Sequence, residues 1–104
     1  MRFVLVNRTS VFDKWLDKLK DRTAKFIITS RIGRIEIDGY LGDHKSVGDN
    51  VYELRIDYGC GYRVYFTYNG NEIIILLCGG DKSTQQKDIE KAKIINKQKG
   101  EFLC

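Results

Sequence analysis

Residues 52–88, YELRIDYGCGYRVYFTYNGNEIIILLCGGDKSTQQKD, leave few folds open. In an extended chain Tyr52, Leu54, Ile56 and Tyr58 point one way and Glu53, Arg55 and Asp57 the other. The pattern repeats, with Tyr62, Val64, Phe66 and Tyr68 on one side and Arg63, Tyr65 and Thr67 on the other. Gly59-Cys60-Gly61 reads as a three-residue hairpin loop, because glycine supplies the positive φ such loops need. That loop sets Tyr58 opposite Tyr62, Ile56 opposite Val64 and Leu54 opposite Phe66, an apolar face. The other face then pairs Arg55 with Tyr65 and Asp57 with Arg63, a solvated, cationic platform suited to holding a phosphate.

The remaining elements follow from periodicity and punctuation. Arg2 to Asn7 reads as a first strand, and Ser10 as the N-cap of a helix with Asp13 in its first turn. Phe12, Trp15, Leu16 and Leu19 form its apolar stripe and are read as core. Asp21 caps a second helix with an apolar row of Ala24, Ile28, Ile32 and Ile35, and Lys25, Arg31 and Arg34 on its other faces. The glycine-rich stretch 39–50 reads as a loop that overhangs the polar face. A turn at Asn69-Gly70-Asn71 leads into residues 72–78, apolar enough for a strand buried on both sides, which Gly79-Gly80 breaks. Ser83 and Gln86 match a capping box for a last helix through Lys97, with Ile89, Ala92 and Ile95 inward. Residues 99–104 read as a loose tail. The expected fold is one α+β domain over 1–104, in the order β-α-α-β-β-β-α.

Composition narrows the function. The net charge of +4 suits a polyanionic partner without demanding one. The odd trio Cys60, Cys78 and Cys104 lacks metal-ligand spacing, so we expect reduced thiols, no metal and no cofactor. No apolar run approaches the roughly 20 residues of a membrane span, and the N-terminus lacks signal-peptide features; a cytoplasmic protein without membrane contact is expected. No G-x-S-x-G, P-loop, H-E-x-x-H or acidic metal cluster occurs, which disfavours two-metal nuclease chemistry.

Arg63 is the leading site candidate, since a guanidinium grips phosphate with two parallel bonds and stays charged throughout a reaction. Arg55 shares its face, and Tyr65, opposite Arg55, is a proton carrier or stacking platform if cations lower its pKa. His44, with an unperturbed pKa near neutrality, and Lys45 occupy the overhanging loop. Gln85 and Gln86 open the last helix close to the same face, where they could orient a phosphate or base. On this reading Arg63→Ala removes activity and leaves the fold intact, because Arg63 is solvated.

ELRIDYGCGYRVYF followed by LLCGGDKSTQQKDI resembles the RelE/ParE superfamily of bacterial toxin–antitoxin toxins, closest to the HigB-like branch, over residues 12–98. The resemblance implies an mRNA endoribonuclease, active on the translating ribosome, in which the ribose 2′-hydroxyl attacks the adjacent phosphorus. It places Arg63 at the scissile phosphate and Lys82 where such toxins carry a catalytic arginine, with Arg55 and Lys45 at positions that suit a basic residue. The implied RNA-binding set is Arg63, Arg55, Lys82, Lys45 and Gln85, and the proton movers are Lys45, Tyr65 or His44. Two positions depart from the pattern: Glu53 is basic in RelE, and Asp88 stands where RelE has an aromatic acid–base residue. The implied partner is a helix-turn-helix antitoxin, with operator DNA contacted only through it. The alternative on the same fold is a ParE-like poison of DNA gyrase without ribonuclease activity.

Overall fold

A computed structural model describes residues 4–70 and 73–99. The elements are β1 (Leu5–Arg8), α1 (Ser10–Lys18), α2 (Arg22–Asp38), β2 (His44–Gly48), β3 (Val51–Ile56), β4 (Tyr62–Asn69), β5 (Ile73–Asp81), a 3-10 turn (Lys82–Thr84) and α3 (Gln85–Lys97). The strands form one sheet in the order β1-β5-β4-β3-β2, with β1 parallel to β5 and the other pairs antiparallel. The expected mixed α+β architecture is present, with one strand more than the sequence pattern indicated. The expected loose tail lies almost wholly outside the described residues, as do the ends of the first strand and of the Asn69-Gly70-Asn71 turn. No helix among the described residues is long and apolar enough to cross a membrane.

Both sheet faces are covered, by different helices. Phe12 and Leu16 of α1 and Ile28, Ile32 and Ile35 of α2 pack on Leu54, Ile56, Val64, Phe66, Ile74 and Leu76, with Trp15 and Leu19 at the margin. Each such aliphatic side chain contributes about 1.5–3 kcal/mol on burial. On the opposite face Ala92 and Ile95 of α3 pack on Val51, Tyr65, Ile75 and Leu77. That face is therefore only partly solvated, contrary to the sequence-based expectation.

The caps explain where the helices begin. Thr9, not Ser10, caps α1: its Oγ1 accepts from the Phe12 N–H at 3.1 Å and donates to the Leu77 carbonyl at 2.6 Å. Thr9 is wholly buried, so one hydroxyl closes the helix and ties it to β5. Asp21 caps α2 as expected, accepting from the Ala24 N–H at 3.0 Å. Gly39, at φ 74°, ends α2 in the left-handed conformation that glycine adopts without a Cβ penalty.

Four local expectations are corrected. The hairpin between β3 and β4 spans residues 57–61, not three residues, and pairs Ile56 with Tyr62, Leu54 with Val64, Arg55 with Arg63 and Glu53 with Tyr65. The Tyr58 hydroxyl lies 3.4 Å from Asp21 Oδ1, so the longer loop leans on the start of α2. His44 and Lys45 belong to the edge strand β2, opposite Leu54 and Glu53, rather than to an overhanging loop. Gly79 and Gly80 do not end the strand, which runs on to Asp81. No capping box forms at Ser83 and Gln86: Asp81 caps the 3-10 turn, and Thr84 precedes α3 without a side-chain capping bond.

Cys78 lies in the sheet core beneath α3, and burial pushes its thiol up to about 12. Cys60 is exposed in the hairpin loop. Thiol labelling at pH 8, mapped by mass spectrometry, is expected to modify Cys60 in the native protein and Cys78 only on unfolding. Rapid native labelling of Cys78 would contradict its packing.

Candidate phosphate-binding groove

Three cations from three elements meet in a groove of ≈ 290 Å³ at one end of the sheet: Arg55 from β3, Arg63 from β4 and Lys82 after β5. Asp43, Asp57 and the hairpin residues Gly59, Cys60 and Gly61 complete its lining. Arg55 and Arg63 stand directly opposite one another across the antiparallel pair. Like charges so placed repel, and each is balanced by its own carboxylate. Arg55 donates from Nε (3.3 Å) and Nη2 (3.1 Å) to Asp43 Oδ1. Arg63 Nε lies 3.7 Å from Glu53 Oε1, where the sequence pattern had suggested Asp57.

Glu53 has no exposed surface. Its Oε2 accepts from the Tyr65 hydroxyl at 3.1 Å and from Gln85 Nε2 at 2.8 Å. A buried carboxylate is tolerated when paired and hydrogen-bonded; Oε2 has its hydrogen bonds, while Oε1 faces Arg63 Nε at ion-pair distance without one. These contacts join β3, β4 and the first turn of α3 behind Arg63, whose side chain is 13 % exposed. Arg63 is thus a supported side chain rather than a freely solvated one.

Asp81 and two glycines set the place of Lys82. The Ser83 hydroxyl, donating at 2.5 Å, holds the Asp81 carboxyl below the ordinary range, helped by the Ser83 and Thr84 backbone N–H groups. The turn so fixed leaves Lys82 exposed at the groove. Gly79 passes against the Trp15 ring and Gly80 against the Asp88 carboxylate, so β5 lies close to both α1 and α3.

Of the sequence-derived candidates, Arg55, Arg63 and Lys82 come together. Tyr65 does not join them: it is fully buried, and burial first, then the Glu53 carboxylate, push its phenol well above the ordinary range. Such a phenol keeps its proton, and its hydroxyl is committed to Glu53. Gln85 is likewise spent on Glu53. His44 and Lys45 are exposed but do not line the groove; the His44 ring sits 6.4 Å from that of Phe66, and its Nδ1 is 2.8 Å from the Gly42 carbonyl.

Sequence reasoning missed two residues. Glu53 was visible as a departure from a basic position, and its alternation with Leu54 placed it on the polar face, but nothing local marked it as buried. Asp43, in the segment before β2, carries no pattern at all.

The model of a family described as phage-derived protein Gp49-like matches residues 14–99. The chain belongs to the Gp49-like family. This Gp49-like protein is also 50% identical over 97 residues to an uncharacterized protein of Haemophilus influenzae, covering 93% of this chain and 97% of that one. Its fold matches that of the E. coli toxin RelE, in a double arginine-to-alanine mutant in the free state, with a TM-score of 0.69 over 92% of this chain and 98% of that chain. At 12% identity the match shows a shared fold alone.

Proposed function

We propose that this Gp49-like protein is the toxin of a toxin–antitoxin pair and an endoribonuclease that cleaves messenger RNA on the translating ribosome. The observation that carries the reading is the convergence of Arg55, Arg63 and Lys82 in one groove on a RelE-like fold. The reaction is attack of a ribose 2′-hydroxyl on the adjacent phosphorus, leaving a 2′,3′-cyclic phosphate and a 5′-hydroxyl. Charge accumulating on the phosphorane is offset by the Arg63 fork, held from behind by Glu53, with Lys82 as a mobile point charge. A cytoplasmic antitoxin of helix-turn-helix type silences the toxin and carries any operator DNA contact.

Lys82→Ala tests this cleanly, because the exposed side chain can go without disturbing the core. After brief induced expression, wild type is expected to create 5′-hydroxyl ends within translated frames. Lys82→Ala should lower their number at least about tenfold at unchanged Tm, less than the 10²–10³ of an enclosed donor. A ParE-like gyrase poison remains the second reading, favoured by the distance of Tyr65, His44 and Lys45 from the groove chemistry. Growth arrest with DNA damage and no new RNA ends would establish it instead.

A further inference from the structure

We propose that Asp43 is the general base of the cleavage, accepting the proton of the attacking 2′-hydroxyl; this rests on the ribonuclease reading above. The groove holds the three cations and two carboxylates, Asp43 and Asp57. The three cations offset the charge of a phosphate, and the Tyr65 hydroxyl is committed to Glu53 beneath α3. A proton acceptor at the reacting end must therefore come from the groove's own lining.

Asp43 is the carboxylate that the fold holds still. Both bonds from Arg55 end on its Oδ1, leaving the lone pairs of Oδ2 for a proton. Its backbone carbonyl accepts from the Arg55 N–H at 2.9 Å, which fixes the main chain as well. Arg31 of α2 clamps the same segment, donating to the Leu41 and Arg55 carbonyls at 2.8 and 2.9 Å and reaching that of Asp43 at 3.4 Å. Gly42 sits at φ 71°, in the left-handed region that favours glycine, and a Cβ there would lie 2.9 Å from Arg31 Nη2. A base held by main chain and side chain beside a phosphate-binding arginine is preorganised for attack. Asp57, by contrast, sits in the hairpin loop beyond β3.

The step balances without a co-reactant. The 2′-O–H proton passes to Asp43 as the 2′-oxygen bonds to phosphorus. The bond from phosphorus to O5′ breaks with its electron pair going to oxygen. O5′ takes a proton from solvent water in the open groove, and Asp43 returns its own to solvent.

The test separates chemistry from binding. Single-turnover cleavage of a short messenger on programmed ribosomes is compared with binding to the same complexes carrying a 2′-deoxy messenger. Asp43→Asn is expected to slow cleavage by about 10² or more while binding is equal or tighter, since a negative charge has left the groove. Asp43→Glu, which keeps a displaced carboxylate, should recover part of the rate, and Asp57→Asn should lose clearly less rate than Asp43→Asn. Cleavage by Asp43→Asn at or above the wild-type rate would overturn the assignment and leave Asp43 as a mere counter-ion of Arg55. So would a parallel loss of binding and cleavage, or loss in Asp57→Asn instead. Wild type that binds and leaves no 5′-hydroxyl ends would bring down the ribonuclease reading, and this assignment with it.

Discussion

Arg63→Ala is expected to destabilise the protein by about 3–5 kcal/mol, the cost of leaving a buried charge without its partner. Glu53 is wholly buried, and Arg63 is the cation within 4 Å of it. Total stabilities are about 5–15 kcal/mol, so Tm should fall by more than about 10 °C. Adding Glu53→Gln should recover part of the loss, because a neutral amide still accepts from Tyr65 and needs no counter-ion. Urea denaturation of both single variants and the double measures the coupling; a double no more stable than Arg63→Ala alone would show that the pair is not coupled. This reverses the sequence-based expectation that Arg63→Ala leaves the fold intact. Loss of toxicity in that variant reports folding as well as chemistry, which is why Lys82 and Asp43 are the cleaner probes.

Gly79→Ala is expected to cost about 3 kcal/mol, at the upper end of ordinary overpacking. The added Cβ would stand 2.6 Å from Trp15 Cδ2, in a ring that packs against the core and must shift to make room. Gly80→Ala should cost about 1–3 kcal/mol: its Cβ would stand 2.6 Å from Asp88 Cγ, whose Oδ2 accepts from the Thr84 hydroxyl at 2.6 Å. Because Asp88 lies in the first turn of α3, the second variant should also shift Lys82 and lower cleavage. Gly33→Ala is the contrast. Within α2, with no atom within 4 Å of its Cβ, it should stabilise by about 0.5–1 kcal/mol. Thermal denaturation of the three reads the sign directly, and a rise in Tm for Gly79→Ala would refute the close approach of β5 to α1.

The hairpin shows how far pattern alone could go. A slip of two residues leaves every side chain on its face, so alternation cannot distinguish a three-residue loop from the span 57–61. Cross-strand partners do change, and with them the site: Tyr65 moves from Arg55 to Glu53, and Arg63 comes to face Arg55. The choice between registers involves Tyr58 reaching Asp21 on another element. The strand β2 escaped notice for a related reason. Its residues His44–Gly48 are mostly exposed and lack apolar alternation, so only pairing with β3 makes them a strand.

The sequence by itself determined the helices, the apolar faces of the central strands, the α+β class and the arginine candidates. Each depends on neighbours within a turn or on a period of 2 or 3.6 residues, which are written locally. Only the tertiary structure decided that α3 lies over Glu53 and Tyr65, turning an expected solvated face into a buried carboxylate that supports Arg63. It also decided that Arg31 clamps the segment before β2 and so brings Asp43 to Arg55. Burial and long-range pairing depend on which elements meet, and no local period encodes that.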